Sequence, residues 1–355
     1  MKNKKSLIVT MSMLLTTALL VACAGPGGGS APAAGGGGAA PAAEAAADEV
    51  FTAILASANT PTHPIVMAMV EFGDIMYEKS GGRIVLDVFH SAQLGSERDI
   101  VEGMMLNTIQ FAAITSAPLS GFTDAYTIFD LPFLFESLEE GRMVTDSPLG
   151  DELLLAMTDI GLLGLSWFEH GMRNITNSVR PINTPEDLQG IRIRTMENPM
   201  HMEAFRVMGA DPVPMAFGEL FTALQQGALD AQENPVVNIH SSAFYEVQTY
   251  LTMSGHVYAP APMLVSLPWF NSLPADLQEV VREAAVEAQA WMRDMNDQMH
   301  IIYLEELVDF GMIVGEVDVA PFAEATRSVH DMFVGDLVDP EIYAVALALL
   351  EEFRN

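Results

Sequence analysis

Past residue 48 the hydrophobic and polar positions switch between two periods, and each switch marks an element. Residues 51–55 form a short apolar run that fits a strand. Residues 64–79 open on a proline suited to a helix start and repeat Ile65, Met69, Phe72 and Met76 near one face. Gly81-Gly82 ends that helix, and 83–89 is rich in β-branched and apolar residues, as a strand requires. A helix over 96–106 and a strand over 110–114 complete a β-α-β-α-β order, which predicts a mostly parallel sheet covered by helices.

The same reading continues along the chain. Residues 130–135 are an apolar run broken by Pro132, which reads as core packing. Helices are expected at about 138–145 and 149–160, then a strand over 163–168. A capped short helix is expected around 183–187, ahead of Gly190. Beyond it come a strand over 191–195, helices over 199–208 and 217–226, and a strand over 230–233. Leu277, Val280, Val281, Ala284, Ala288, Trp291, Met295 and Met299 recur at three- and four-residue steps, predicting a helix that runs to about Phe310. Such a helix is long enough to lie across two lobes.

The first 48 residues follow neither period. Lys2, Lys4 and Lys5 precede an apolar stretch over 7–22, and Leu20-Val21-Ala22-Cys23 closes it. That order fits a secretory signal, and the stretch is short for a spanning helix. The small residues before Cys23 resemble the bacterial lipobox, so residues 1–22 read as a lipoprotein-type signal peptide and Cys23 as the lipidated new N-terminus. Cys23 is the sole cysteine, which excludes an intrachain disulfide. Residues 24–48 are almost wholly Gly, Ala, Pro and Ser, a flexible tether reaching about 25–30 Å on average. The expected location is the cell membrane, lipid-anchored and facing the periplasm or cell exterior.

Charge narrows the class of partner. Acidic residues number 47 against 16 basic, a formal net charge of -31 over 355 residues. This opposes nucleic acid and anionic lipid surfaces but leaves a local anion site open. There is no Walker loop, no dinucleotide turn in the body, no zinc-protease signature and no Gly-x-Ser-x-Gly elbow. The eight histidines are scattered without ligand spacing, so neither a metal, a cofactor nor an enzymatic activity is expected. Against that background, Arg173, Arg180, Arg192 and Arg194 fall within 22 positions. A guanidinium offers a planar fork matched to a carboxylate, and a strand would put Arg192 and Arg194 on one face. Pairing with Glu186, Asp187 or Glu197 is the structural alternative, and composition does not choose between them.

The order of motifs does choose. His170-Gly171-Met172-Arg173, Gly190-Ile191-Arg192-Ile193-Arg194, Glu219-Leu220-Phe221-Thr222-Ala223-Leu224 and Gln232-Glu233-Asn234-Pro235 occur in sequence, with Gln93-Leu94-Gly95-Ser96-Glu97 and Leu131-Pro132-Phe133-Leu134 ahead of them. Over roughly residues 49–310 this series resembles the solute-binding subunit of tripartite ATP-independent periplasmic (TRAP) transporters, the DctP family. The resemblance implies an α/β, two-lobed periplasmic-binding-protein-like fold with a ligand cleft between lobes. Lobe I would comprise 49–172 plus about 260–300, and lobe II 173–259 plus about 301–355.

By the same resemblance Arg194 anchors the ligand carboxylate, Arg173 assists, Asn234 donates a hydrogen bond and Phe217 packs on the ligand. The first lobe contributes Glu97, Thr115 and Ser116, and Asn59 is a further partner for ligand hydroxyls. Relatives that carry a charged pair after the third strand differ from this chain, which has Thr115 and Pro118 there. The family reading implies a monomer that captures a small organic carboxylate (a sugar acid such as a uronate, or a C4-dicarboxylate) by cleft closure and passes it to the TRAP membrane subunits. A sensory binding protein of the same fold would carry the same residues.

Overall fold

Two sheets of mixed strand direction, joined by chain crossings and one long helix, make up the body. The computed structural model describes residues 49–355; the signal, Cys23 and the tether expected before them lie outside the described residues. The first lobe begins with β1 (Phe51–Ala56), α1 (Pro64–Lys79), β2 (Ile84–Phe89), α2 (Glu97–Met105), β3 (Phe111–Ala113), α3 (Ser116–Leu119), α4 (Leu138–Thr145), α5 (Pro148–Leu154) and β4 (Leu162–Met172). The second holds β5 (Asn174–Asn177), β6 (Arg192–Thr195), α6 (Pro199–Val207), β7 (Asp211–Pro214), α7 (Phe217–Gln225), β8 (Ala231–Asn234), α8 (Val236–Ser241) and β9 (Tyr250–Met253). The chain then returns through β10 (Tyr258–Ser266), α9 (Leu267–Ser272) and α10 (Ala275–Asp309), and ends with β11 (Ile313–Glu316), α11 (Ala320–Phe333) and α12 (Pro340–Arg354).

The first sheet runs β2-β1-β3-β10-β4 and the second β11-β9-β5-β8-β6-β7. The strands of the β-α-β-α-β order are parallel as expected, and the later strands add antiparallel pairs. β1 is parallel to β2 and β3, but β10 is antiparallel to both β3 and β4, and β5 is antiparallel to β8 and β9. The cause is the route of the chain. It leaves the first sheet at Arg173 and re-enters at Val257, so β4 and β10 run as an outgoing and a returning strand. The two crossings are stitched together where Arg173 N–H donates to Val257 O at 2.8 Å and His256 N–H donates to Arg173 O at 3.1 Å.

Helix positions follow from capping and burial. Pro64 starts α1 behind His63, whose Nδ1 accepts from Ile65 N–H. Its face of Ile65, Met69, Phe72 and Met76 is fully buried against Leu277, Val281, Ala284 and Ala288 of α10 and against the first sheet. Each such side chain contributes about 1.5–3 kcal/mol, so packing holds the helix. A capping box between Ser96 and Asp99 fixes the start of α2, which places Glu97 in its first turn. α10 packs on α1 and β4 of the first lobe and on α8 of the second, so it spans both. α12 packs on α4 and α5, with Arg354 paired to Glu140 at 2.7 Å. The C-terminal helix therefore lies on the first lobe, where 301–355 had been expected to follow the second.

Candidate ligand-binding site

A narrow cleft with about 300 Å³ of space, part of it open to solvent, lies between the sheets. Arg194, Asn234 and Phe217 line it from the second lobe, Glu97, Thr115 and Asn59 from the first, and Arg173 from the crossing. Ser116, one residue beyond Thr115, is buried but does not line it. Ala58, His170, Met196 and Asn238 complete the wall. A second space of about 280 Å³ opens beside it and shares Glu97, Arg194, Met196 and Phe217.

The two arginines are in different electrostatic situations. Arg173 is buried at 2% exposure and held by the Glu233 carboxylate, whose Oε1 accepts from Nη2 at 2.9 Å. The same Nη2 also donates to Asn234 Oδ1 at 3.0 Å. His256 Nε2 lies 3.1 Å from Glu233 Oε2 and adds a second partner. Burial would raise the Glu233 carboxyl, but the Arg173 charge and the His256 contact overcome it and hold it well below the usual range. Arg173 is thus a paired, structural cation with Nη1 left without an acceptor among the described residues.

Arg194 is 3% exposed and has no carboxylate within ion-pair distance among the described residues. Its Nε and Nη2 donate to Met215 O at 2.8 and 2.7 Å. A guanidinium has five N–H donors, so about three remain for a ligand. Burial lowers its pKa to about 10, the signature of a charge taken out of water without full compensation. The Phe217 ring centroid lies 6.0 Å from its Cζ. Here an incoming carboxylate finds a fork of donors and a low-dielectric wall.

The other named residues are partly committed. Asn234 receives Arg173 on Oδ1 and donates to Gln232 Oε1, which leaves one N–H free to point elsewhere. Asn59 donates to Ser57 Oγ, and its Oδ1 faces Asn238 Nδ2 at 3.4 Å. Glu97 Oε1 accepts from both the backbone and the hydroxyl of Thr115, at 2.9 and 2.8 Å. Burial pushes the Glu97 carboxyl up, opposed by those two donors and by Arg194. Two of the four clustered arginines are outside the cavity wall. Arg192, at the open end of β6, pairs with Asp230 at 2.6 Å, and Arg180 donates to Asp187 O and Gln189 O. No group of three His, Cys, Asp or Glu side chains suited to a metal occurs among the described residues.

Three residues of this region went unassigned in the sequence reading. Glu233 sits in the same motif as Asn234, and its pairing with Arg173 could have been sought there. His170 lies three residues before Arg173 on β4. Asn238 follows Asn234 by one helical turn behind Pro235.

The DctP family, described as bacterial extracellular solute-binding protein family 7, matches residues 55–336. A solute-binding protein of Verminephrobacter eiseniae is 38% identical over 268 residues, covering 75% of this chain and 80% of that protein. The 2,3-diketo-L-gulonate-binding periplasmic protein YiaO of Escherichia coli is 33% identical, covering 76% and 83% respectively. The solved structure of the sugar acid binding protein DctPAm of Advenella mimigardefordensis in complex with galactonate superposes with a TM-score of 0.82 at 31% identity, covering 86% of this chain and 99% of that one.

Proposed function

The chain belongs to the DctP family of bacterial extracellular solute-binding proteins, and from that premise we propose that it captures a small organic carboxylate on Arg194 and hands it to TRAP membrane subunits. One observation carries this reading: a buried guanidinium with no carboxylate partner, facing a cavity between two lobes. A buried cation without a counter-charge is costly, and a ligand carboxylate supplies what is missing. Relatives that bind galactonate and 2,3-diketo-L-gulonate share the family, and both of those ligands are sugar acids.

Contacts from the two lobes to one ligand favour the closed arrangement by their difference in affinity for closed over open. The arrangement described here already carries hydrogen bonds across the cleft. Thr60 Oγ1 donates to Ser241 O at 3.2 Å and Tyr303 Oη donates to Thr62 O at 3.1 Å. On the other flank Asn198 Nδ2 donates to Asp130 Oδ2 at 2.8 Å.

Arg194→Ala tests the anchor. Calorimetric titration with galactonate should show a loss of affinity of about 30-fold to several thousand-fold, the scale of truncating one partner of a buried charge pair at about 2–5 kcal/mol. The ligand-free melting temperature should stay near the parent's, because the variant removes an uncompensated charge. Unchanged binding would mean that the carboxylate sits elsewhere.

The same proposal places the body on a membrane through Cys23 and the Gly-rich segment after it. Among the described residues no helix is long and apolar enough to cross a membrane. Fractionation of cells producing Cys23→Ser should find the protein in the soluble fraction, with the parent in the membrane fraction; equal partitioning would argue against the lipid anchor.

A further inference from the structure

The two lobes share one helix end. α6 belongs to the second lobe, yet its Met200 and Ala204 join the first-lobe core that holds Ile128 and Phe129, while Phe205 and Met208 join the core of the second. Beside Met200 lies a polar cluster outside the wall of the ligand cleft. Asp130, the last residue of a 3-10 turn at Thr127–Asp130 between α3 and α4, meets Asn198 and His201 at the start of α6. Asn198 Nδ2 donates to Asp130 Oδ2 at 2.8 Å, and His201 Nε2 lies 3.2 Å from Asp130 Oδ1. All three residues are at 2% exposure or less.

Asn198 is committed at both ends of its amide. Its Oδ1 accepts from Met200 N–H and His201 N–H at 2.9 and 3.2 Å, which caps α6. The cap fixes the side chain, so the Nδ2 donor reaches the first lobe already aimed. There it also meets Ala117 O and Ser120 Oγ at the end of α3, each at 3.3 Å. His201 Nδ1 has no acceptor among the described residues, so a neutral ring holds its proton on Nε2, facing the carboxylate. Asp130 thus takes both of its side-chain donors from the opposite lobe. Burial raises its carboxyl, opposed by His201, by Asn198 and by the Arg173 charge. Arg173 is itself held by Glu233, with His256 beside that carboxylate, so no spare cation replaces the two donors. With the lobes apart water serves Asp130, and with the lobes closed Asn198 and His201 do. In between, the carboxylate would be dry and unpaired, an arrangement of high cost.

We propose that Asp130, Asn198 and His201 are positioning residues, a buried lock that holds the lobes closed and so sets how tightly a ligand is kept without touching it. The proposal rests on the reading that closure captures a ligand, and it holds whichever group anchors the ligand carboxylate.

Exchanging the two polar partners tests it. Asn198→Asp keeps a good helix cap but sets a second carboxylate against Asp130. Calorimetric titration with galactonate and glucuronate at about pH 8 should show the tighter of the two weakened by about 10-fold or more relative to the parent, the direction expected of like charges brought together. The ligand-free melting temperature should stay near the parent's, because water serves both groups when the lobes are apart. Two carboxylates sharing one site take up a proton on closure, so the loss relative to the parent should shrink as the pH falls to about 5. The double variant, Asp130→Asn with Asn198→Asp, restores one carboxylate and one amide with the bond reversed, and should return to within about 3-fold of the parent. Unchanged affinity in Asn198→Asp, or a loss that neither acid nor the double exchange repairs, overturns the lock and leaves capture by the parent standing. A lowered ligand-free melting temperature in place of weakened binding overturns it in favour of fixed packing between the lobes. Binding of neither acid by the parent overturns the capture reading and the lock with it.

Discussion

At the scale of single residues, the two arginines show how one side-chain type divides its labour by what stands next to it. Arg173 has Glu233, and Arg173→Ala would leave that carboxylate buried with only the His256 ring beside it. Loss of one partner of a buried pair costs about 3–5 kcal/mol, so this variant should unfold at much lower denaturant, in contrast to Arg194→Ala. Chemical denaturation of the two proteins side by side would show it; equal midpoints would place Arg173 among the ligand contacts instead. Histidines give the pH dependence. His63 is held near 4 by burial, below the unfolded value of 6.5, so the unfolded chain takes up its proton first as the pH drops. The contribution is complete above pH 6.5 and is lost between there and pH 4, about 3 kcal/mol for a shift of that size. His63→Ser should therefore flatten the stability curve across this window, and a curve parallel to the parent's would contradict the buried neutral imidazole.

At the scale of elements, sequence pattern and structure part company where burial is polar. α1, α2, α7 and α10 were legible because their apolar stripes repeat at helical spacing, and α10 falls at Ala275–Asp309 against an expected 277–310. β4 was cut short at Phe168 in the sequence reading, yet it runs to Met172. Its last part, Glu169-His170-Gly171, is polar and glycine-containing, but it is the wall of a cavity and a partner of Arg142 and Tyr258. β8 presents the same lesson: Gln232, Glu233 and Asn234 are fully buried and pair with Thr176, Arg173 and each other. A rule that assigns polar residues to solvent cannot find such strands. β7, with the sequence Asp-Pro-Val-Pro, and β9, β10 and β11 carry no alternation strong enough to be read alone. Of the site, Arg194, Asn234, Phe217 and Glu97 came from ordered motifs, and Thr115 from its place after the third strand. The His63–His170 pair stood 107 positions apart and could be joined only by the fold.

At the scale of the molecule, affinity and shape are linked by hydrogen bonds that touch no ligand. Thr60 lies outside the cavity wall but bridges the lobes to Ser241. Thr60→Val should weaken galactonate binding by about 3- to 10-fold, the worth of one hydrogen bond at about 0.5–1.5 kcal/mol, through a smaller closed population. Small-angle scattering of the ligand-free variant should show a larger radius than the parent; identical radii and affinities would remove Thr60 from the closure. The double crossing at Arg173 and Val257 has a further consequence. Residues 174–253 form an insertion between β4 and β10, two neighbours in the first sheet that share nine paired positions. Five of the six strands of the second sheet are contiguous in the chain, whereas the first sheet must wait for a strand some 90 residues downstream. The second lobe is therefore expected to condense before the first sheet is completed, and pulsed hydrogen exchange during refolding should protect β5–β9 ahead of β10; simultaneous protection would contradict that order.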